Sequence, residues 1–291
     1  MIIDFHTHLF PPSFRENRQR LFEGEPAFRM IYGSAQAKLA GASDLLRHMD
    51  EAGIQKSIVF GFPWEKTANF QRHNDYIMDM VARYPDRFIG FCCFSPLSFQ
   101  AAREAERCLR GGLSGVGELA VYAGGMSRSV VDAYVDIMAV CHEWNVPVLI
   151  HTNEPVGHHY PGKAPMTLRE IYHFIKSFPH NRLVLAHWGG GIFFYALMRK
   201  EVRDVLKNVW FDTAASPFLY RPDVYRLAGE LVGYEKILFG TDYPLLPAKR
   251  YFQEMASSGI SEENKNRVLG GNAEDLLGIA SGNHKPNVKG G

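Results

Sequence analysis

A single (β/α)8 barrel of the TIM type is the fold this sequence predicts, and three observations point to it. Eight short apolar runs alternate with longer segments of helical spacing. The 291 residues suit one closed barrel of ~250 residues. Four of the runs end in a potential metal ligand, a histidine or an aspartate. Strict alternation of strand and helix gives a parallel sheet, and eight units with nothing left over close it.

The first run, Ile2-Ile3-Asp4-Phe5-His6-Thr7-His8, carries two histidines one pleat apart. On an alternating strand His6 and His8 face one way and Ile3, Phe5 and Thr7 the other. Two imidazoles on a rigid element supply half of a tetrahedral site. Further strands are expected at 57–61, 88–94, 115–119, 147–151, 183–187, 209–212 and 237–240. Helices are expected at 43–52, 69–84, 101–109, 129–143, 167–178, 192–206 and 222–231, with Ser43, Ser129 and Thr167 as N-caps and Gly53 as a stop. The segment 9–42 fits no such unit; it mixes Arg15, Arg18, Arg20 and Arg29 with Phe14, Phe22 and Phe28, and reads as a lid or specificity loop after the first strand. Residues 1–280 read as one domain, and the polar, glycine-bearing 281–291 as a tail.

Composition narrows the partners. With 46% hydrophobic and 22% charged residues the chain is of ordinary globular type, and 32 basic against 31 acidic side chains leave +1. No global field favours nucleic acid or an anionic membrane, so a small-molecule substrate is expected; a homodimer is the one self-association entertained. No stretch reaches the ~18 apolar residues of a membrane span, and no signal peptide or anchor is read. Cys92, Cys93, Cys108 and Cys141 lack any Cys-x-x-Cys pairing and read as reduced core residues, so a cytoplasmic location is expected.

In a parallel barrel all C-terminal strand ends meet on one face. Val148-Leu149-Ile150-His151, Val184-Leu185-Ala186-His187 and Phe239-Gly240-Thr241-Asp242 therefore bring His151, His187 and Asp242 to His6 and His8. Glu118, in Val116-Gly117-Glu118-Leu119, joins the same rim, either as a ligand or as a buried acid oriented by a ligand histidine. Asp4 sits one pleat below His6 and is expected to hold a ligand imidazole from beneath; Asp212 reads as structural or supporting. The loop 152–163 places Asn153, Tyr160 and Lys163 beside the metal as candidate substrate contacts, and Trp188 is a candidate to stack on a planar substrate.

As a set, His6-Thr7-His8, His151, Ala186-His187-Trp188-Gly189-Gly190 and Gly240-Thr241-Asp242-Tyr243-Pro244 resemble the metal-dependent amidohydrolase superfamily, in particular the amidohydrolase-related group that includes aminocarboxymuconate-semialdehyde decarboxylase. The resemblance spans nearly the whole chain, to Gly271-Asn272-Ala273. It implies a barrel holding a divalent metal, usually zinc, on His6, His8, His151 and Asp242, with His187 acting on substrate or on a second metal. Two departures matter. No lysine follows the fourth-strand glycine, which argues against a carboxylated-lysine bridge, and Gly117-Glu118-Leu119 is instead similar to the motif of TatD-like deoxyribonucleases, whose glutamate bridges two metals. One zinc ion is expected here rather than two.

The leading expectation is a metal-dependent hydrolase of a small polar or carboxylate-bearing substrate. A metal-activated water would attack, Asp242 would take and pass on its proton, and His187 would stabilise the oxyanion. The alternative is a non-oxidative decarboxylase of an unsaturated or aromatic carboxylic acid. Behind these stand a TatD-like nuclease, which lacks a basic groove here, and a non-catalytic binding barrel.

Overall fold

The apolar runs form eight strands in the order β1-β2-β3-β4-β5-β6-β7-β8, every neighbouring pair parallel. They are β1 (Ile3–His8), β2 (Lys56–Phe60), β3 (Phe88–Cys92), β4 (Gly115–Leu119), β5 (Pro147–Ile150), β6 (Arg182–Leu185), β7 (Val209–Asp212) and β8 (Ile237–Leu238). The sheet closes where Phe5 N–H donates to the Phe239 carbonyl at 2.7 Å and Thr7 bridges Tyr243 in parallel. This computed structural model describes residues 1–279; the expected tail at 281–291 lies outside the described residues.

Two apolar layers hold the barrel. Ile3, Phe5, Ile58, Phe60, Phe91, Leu149, Val184 and Leu238 pack together from six strands as the barrel interior, with Ala273 and Leu276 against them. The larger layer lies between the sheet and its helices and includes Leu45, Met49, Ile77, Ile137, Phe174 and Tyr225. Burying such side chains contributes roughly 1.5–3 kcal/mol each.

The helices are α1 (Pro12–Glu16), α2 (Pro26–Tyr32), α3 (Ala42–Ala52), α4 (Thr67–Arg83), α5 (Ala101–Arg110), α6 (Arg128–Ala133), α7 (Val135–Glu143), α8 (Leu168–Ser177), α9 (Val202–Val205), α10 (Ser216–Leu219), α11 (Asp223–Val232), α12 (Ala248–Ser257), α13 (Glu262–Asn266) and α14 (Asn272–Leu277). Thr167 caps α8 by accepting from Glu170 N–H, and Gly53 ends α3 in the left-handed region at φ 69°. Ser43 is not a cap: Gly41 precedes α3, and Asp44 reaches back to the Gly41 N–H at 3.0 Å. The helix expected over 192–206 does not form. His187, Trp188, Gly189, Gly190 and Gly191 all hold positive φ, and the chain runs on as 3-10 turns to Leu197 before α9.

Segment 9–42 is ordered over the C-terminal face, with Phe14, Phe28 and Tyr32 buried against Phe62 and Trp64, and Phe10 against Phe28 and Tyr32. Glu25 pins it to the start of α4, accepting from Glu65 N–H, Lys66 N–H and Asn69. His73 on α4 supports its first residue: Nε2 donates to the Leu9 carbonyl at 2.6 Å while Nδ1 accepts from the Trp64 indole at 2.8 Å. Only neutral imidazole makes both bonds, and burial pushes the His73 pKa down to about 4 against the opposing pull of the Leu9 bond. The folded value lies below the ordinary 6.5, so this stabilisation is complete above 6.5 and is lost as pH falls towards 4. Thermal melts across that window are expected to show a falling Tm, with a shallower fall in His73→Gln, which cannot titrate. Parallel profiles for the two proteins would remove His73 as the cause.

Candidate active site

Two strand irregularities aim the central side chains. From Asp4 to Thr7, β1 uses one more residue than β2 uses from Ser57 to Val59. The bulge resets the alternation, so that Phe5 packs into the interior layer and His6 also faces inward, its ring 5.1 Å from Phe60 and 5.4 Å from His187. The expected strict alternation along β1 is corrected by this extra residue. A second bulge lies between Val116 and Leu119 on β4, where Gly117 holds φ 131° and a Cβ would run into the Leu149 carbonyl. Glycine therefore lets Glu118 turn into the barrel.

The strand ends bring six side chains together: His6, His8, Glu118, His151, His187 and Asp242. His6 Nε2 stands 3.5 Å from Asp242 Oδ1 and 3.7 Å from Glu118 Oε2. His8 Nε2 stands 3.3 Å from Asp242 Oδ1 and 3.8 Å from Glu118 Oε2. His187 Nε2 lies 3.4 Å from Glu118 Oε1. His6, His8 and Glu118 form one set of ligand-type atoms within 4.8 Å of one another, as do His6, His187 and Asp242, and Glu118, His151 and His187. These sets overlap in one cluster. Around a shared ion with bonds of about 2.0–2.2 Å, ligand atoms stand about 3–3.5 Å apart, so these separations suit a metal.

Each imidazole is fixed from behind. Asp212 Oδ2 lies 2.8 Å from His6 Nδ1, the Gly61 carbonyl 3.0 Å from His8 Nδ1, and the Ala214 carbonyl 3.1 Å from His187 Nδ1. His151 is held differently, with Nδ1 2.9 Å from Glu118 Oε1 and Nε2 3.1 Å from the Gly162 carbonyl. The supporting part expected of Asp4 belongs to Asp212. Asp4 bonds the His6 and Thr241 backbone N–H groups and the Thr241 hydroxyl, tying β1 to the segment after β8. Burial pushes its pKa up to about 7 against those bonds.

Charge explains the protonation pattern. Burial would neutralise Glu118, yet His151 and His6 hold its pKa well below the usual range. Burial likewise opposes ionisation of Asp242, which its bond to His8 and the charges of His6, His187 and His8 hold at about 2. Burial lowers His6 and His187, but Asp212 and Glu118 raise His6 to about 10, and Glu118 and Asp242 raise His187 to about 9. Asp212, Glu118 and Asp242 thus favour the protonated forms of His6 and His187. The exception is His6 Nε2, a buried nitrogen aimed at both acids with no hydrogen-bond partner.

Above the cluster lies a cavity of about 580 Å³. His8, Glu118, His151, His187 and Asp242 line its floor; Tyr32, Phe62, Tyr122 and Phe218 supply an aromatic wall that the sequence reading missed, and Tyr160 lines it as well. The Tyr160 hydroxyl is engaged, donating to Glu154 Oε2 at 2.9 Å. Lys163 does not line the cavity; its ammonium pairs with Glu154 Oε1 at 2.7 Å and bonds the Val156 and His158 carbonyls. Trp188 does not line it either: fully buried beside Tyr225, it donates its indole N–H to Ser216 at 3.0 Å. Asn153 is a loop brace, with Oδ1 accepting from Ala164 N–H at 2.8 Å and Nδ2 donating to the Ala164 carbonyl at 3.0 Å. Asn153→Ala is therefore expected to cost roughly 2–3 kcal/mol in denaturant unfolding, because both Ala164 groups lose their partner. A loss below about 0.5 kcal/mol, the scatter of inert substitutions, would contradict the brace.

Comparison with known proteins agrees with this fold. The chain is 26% identical over 283 residues to gamma-resorcylate decarboxylase of Polaromonas sp. (strain JS666 / ATCC BAA-500), covering 80% of this chain and 86% of that one. It is 24% identical over 336 residues to 2-amino-3-carboxymuconate-6-semialdehyde decarboxylase of Dictyostelium discoideum, covering 95% and 91%. The structure of dihydroxybenzoic acid decarboxylase from Polaromonas sp. JS666, with bound manganese and the inhibitor 2-nitroresorcinol, shares the fold at a TM-score of 0.70 and 19% identity, over 96% of this chain and 97% of that one. The amidohydrolase family model matches residues 3–279, nearly the whole of the described barrel, and the chain belongs to the amidohydrolase family.

Proposed function

We propose that this chain is a divalent-metal-dependent carboxy-lyase that removes carbon dioxide, without oxidation, from an aromatic or conjugated carboxylic acid. The observation that carries this reading is the pairing of an aromatic-walled cavity with a floor of imidazoles and carboxylates. Tyr32, Phe62, Tyr122 and Phe218 suit the faces of a planar ring, while the floor suits its oxygens. Two relatives that act as decarboxylases support it. Hydrolysis of a small polar substrate was the leading expectation from sequence; the cluster is compatible with it, but the two relatives matched in sequence are decarboxylases.

His6 and His8 through Nε2, with Asp242 and Glu118, would hold the ion, and the unpartnered His6 Nε2 is the feature that fits it best. One ion suffices, because the three ligand sets share their members. Its identity is left to the donors: two imidazoles and two carboxylates suit manganese or zinc. When bound, a divalent ion supplies positive charge that grips substrate oxygens and draws electron density from the ring. It would also replace the extra proton on His6, whose Nε2 faces both acids.

The chain's own residues handle the proton. The bond from the ring to the carboxyl carbon breaks, its electron pair stays on the ring carbon, and that carbon takes up a proton as carbon dioxide leaves. His187 carries a proton at Nε2, facing Glu118, with Nδ1 kept on the Ala214 carbonyl. His187 is the acid that would deliver this proton to the ring carbon, and Asp242, held ionised between His6 and His8, would accept a solvent proton and return it to His187. Phe62 and Tyr32, the buried part of the wall, would keep water from one side of the reacting carbon.

Turnover of a hydroxybenzoate panel in deuterium oxide enriched in heavy oxygen tests the reaction class. Deuterium at the vacated ring carbon, with no heavy oxygen in the organic product, is the expected outcome; heavy oxygen there would establish hydrolysis instead. Asp212→Asn tests the metal site without touching the cavity. It keeps an acceptor for the His187 and Ala214 N–H groups but weakens the grip on His6, so metal titration by calorimetry should show about 10–100-fold weaker binding. Unchanged affinity would remove His6 from the ligand set.

A further inference from the structure

Past the end of β3 a line of buried polar side chains runs from the helix layer to the strand-four acid. The β3–β4 register ends at Cys92 and Val116, and the bulge on β4 leaves Glu118 at no paired position on either side. Cys93, one residue beyond β3, is fully buried. Its thiol donates to the Glu118 carbonyl at 2.9 Å, and its N–H donates to Asn74 Oδ1 at 2.9 Å. Asn74 on α4 is fully buried too, and its Nδ2 donates to Glu104 Oε1 at 2.8 Å. Glu104 on α5 is gripped by Arg107 through Nε and Nη2, both at 2.8 Å, and Nη1 of that guanidinium donates to Asp75 at 2.7 Å. Burial pushes the Glu104 carboxyl up, but Arg107 and Asn74 hold it below its ordinary value. Asn74 and Asp75 are neighbours on α4, so Arg107 and Glu104 lock α5 to α4 at the root of this chain of bonds.

We propose that Cys93 and Asn74 are positioning residues for the metal site: the relay from Glu104 through Asn74 to Cys93 fixes the backbone of Glu118, so that its carboxylate meets the ion shared with His6, His8 and Asp242. The inference rests on the ligand set given under the proposed function and deepens it by naming what aims one ligand. In a regular parallel ladder, evenly spaced backbone bonds hold each strand residue, and a bulge interrupts that support. At Glu118 the thiol takes over. A thiol is a weak donor, yet inside the barrel the carbonyl it satisfies has no bulk water to turn to. His151 and His187 hold the far end of the same side chain, at 2.9 and 3.4 Å from Oε1, while the relay holds its root. A turned Glu118 peptide would carry Oε2 away from the Nε2 atoms of His6 and His8, now 3.7 and 3.8 Å from it.

Calorimetric titration of the metal-free full chain with manganese(II) alone reads this without turnover. Cys93→Ala should weaken binding by about tenfold, as loss of an outer partner of a ligand does, and Cys93→Val, which fills the site without a donor, should do the same. Cys93→Ser restores a donor and should recover affinity to within about threefold of the unmodified protein. Cys141→Ala removes a sulfur from another fully buried position, on α7, and should lower Tm with no change in affinity. Glu118→Gln should weaken binding by itself, and adding Cys93→Ala to it should cost nothing more, because both changes act through one ligand. Undiminished affinity in the donor-free variants, an equal loss in Cys93→Ser, or fully additive losses in the double variant would overturn the proposal. Unchanged affinity in Glu118→Gln would instead remove Glu118 from the ligand set and the proposal with it. The carboxy-lyase reading stands or falls separately, in the deuterium experiment.

Discussion

Two ionised carboxylates, Glu118 and Asp242, converge inside a barrel, and the rest of the site accommodates that concentration of charge. Removing a carboxylate from water costs several kcal/mol unless opposite charge and hydrogen bonds replace the solvent. Among the described residues no lysine or arginine pairs with either acid; the compensation comes from His6, His8, His151 and His187. Imidazole is the one side chain that can meet this demand with a proton in one state and with a lone pair towards a cation in another. The separations that let these rings meet the acids with a proton are also those that ligand atoms around a shared ion would have.

Holding that arrangement requires backbone that the barrel does not supply by default. His187, Trp188, Ala215 and Asp242 all sit at positive φ, and the β1 and β4 bulges precede His6 and Glu118. Such conformations cost of order 1–3 kcal/mol each and persist where surrounding bonds over-determine them. Those bonds are present: Asp212 receives both the His187 and the Ala214 N–H groups, and Tyr251 bonds the Ala215 N–H and the Thr241 carbonyl. Trp188, set in that strained run, is the deep prop of the turn, which is why its large aromatic face is spent on Tyr225 rather than on the cavity.

The barrel and the convergence of strand ends were legible in the sequence because both depend on short-range pattern: an apolar run, then a ligand-type residue, then helical spacing. What stayed illegible depends on tertiary partners. Strict alternation is the natural reading of Ile3 to His8, and nothing local announces that β2 will skip a residue opposite it. The apolar residues 192–198 mimic a helical stripe, yet Ile192, Phe193 and Ala196 are buried while Phe194, Leu197 and Met198 face out from 3-10 turns, because the left-handed glycines before them set the direction of the chain. Lys163 and Asn153 looked like substrate contacts because they border the metal in sequence; Glu154 and Ala164, as near in sequence, claim them first. The aromatic wall was missed for the opposite reason, since Tyr32, Phe62 and Tyr122 come from three separate loops and share no motif.

Those loops are not independent of the cluster they cover. Gly61, whose carbonyl orients His8, packs so closely on the His73 ring that a Cβ would overlap it. His73 in turn holds Leu9, where the lid leaves β1, and Trp64, against which Phe28 of the lid packs at 4.4 Å between ring centroids. One strut thus joins the imidazole that meets the acids to the segment that lines the cavity. A barrel with a freely hinged lid would let substrate wall and reacting floor drift apart by ångströms, and an error of about 1 Å in placement can cost a hundredfold in rate. Here the ring wall, the lid and His8 share contacts within a few side chains, so the lid keeps its register with the strand-end cluster.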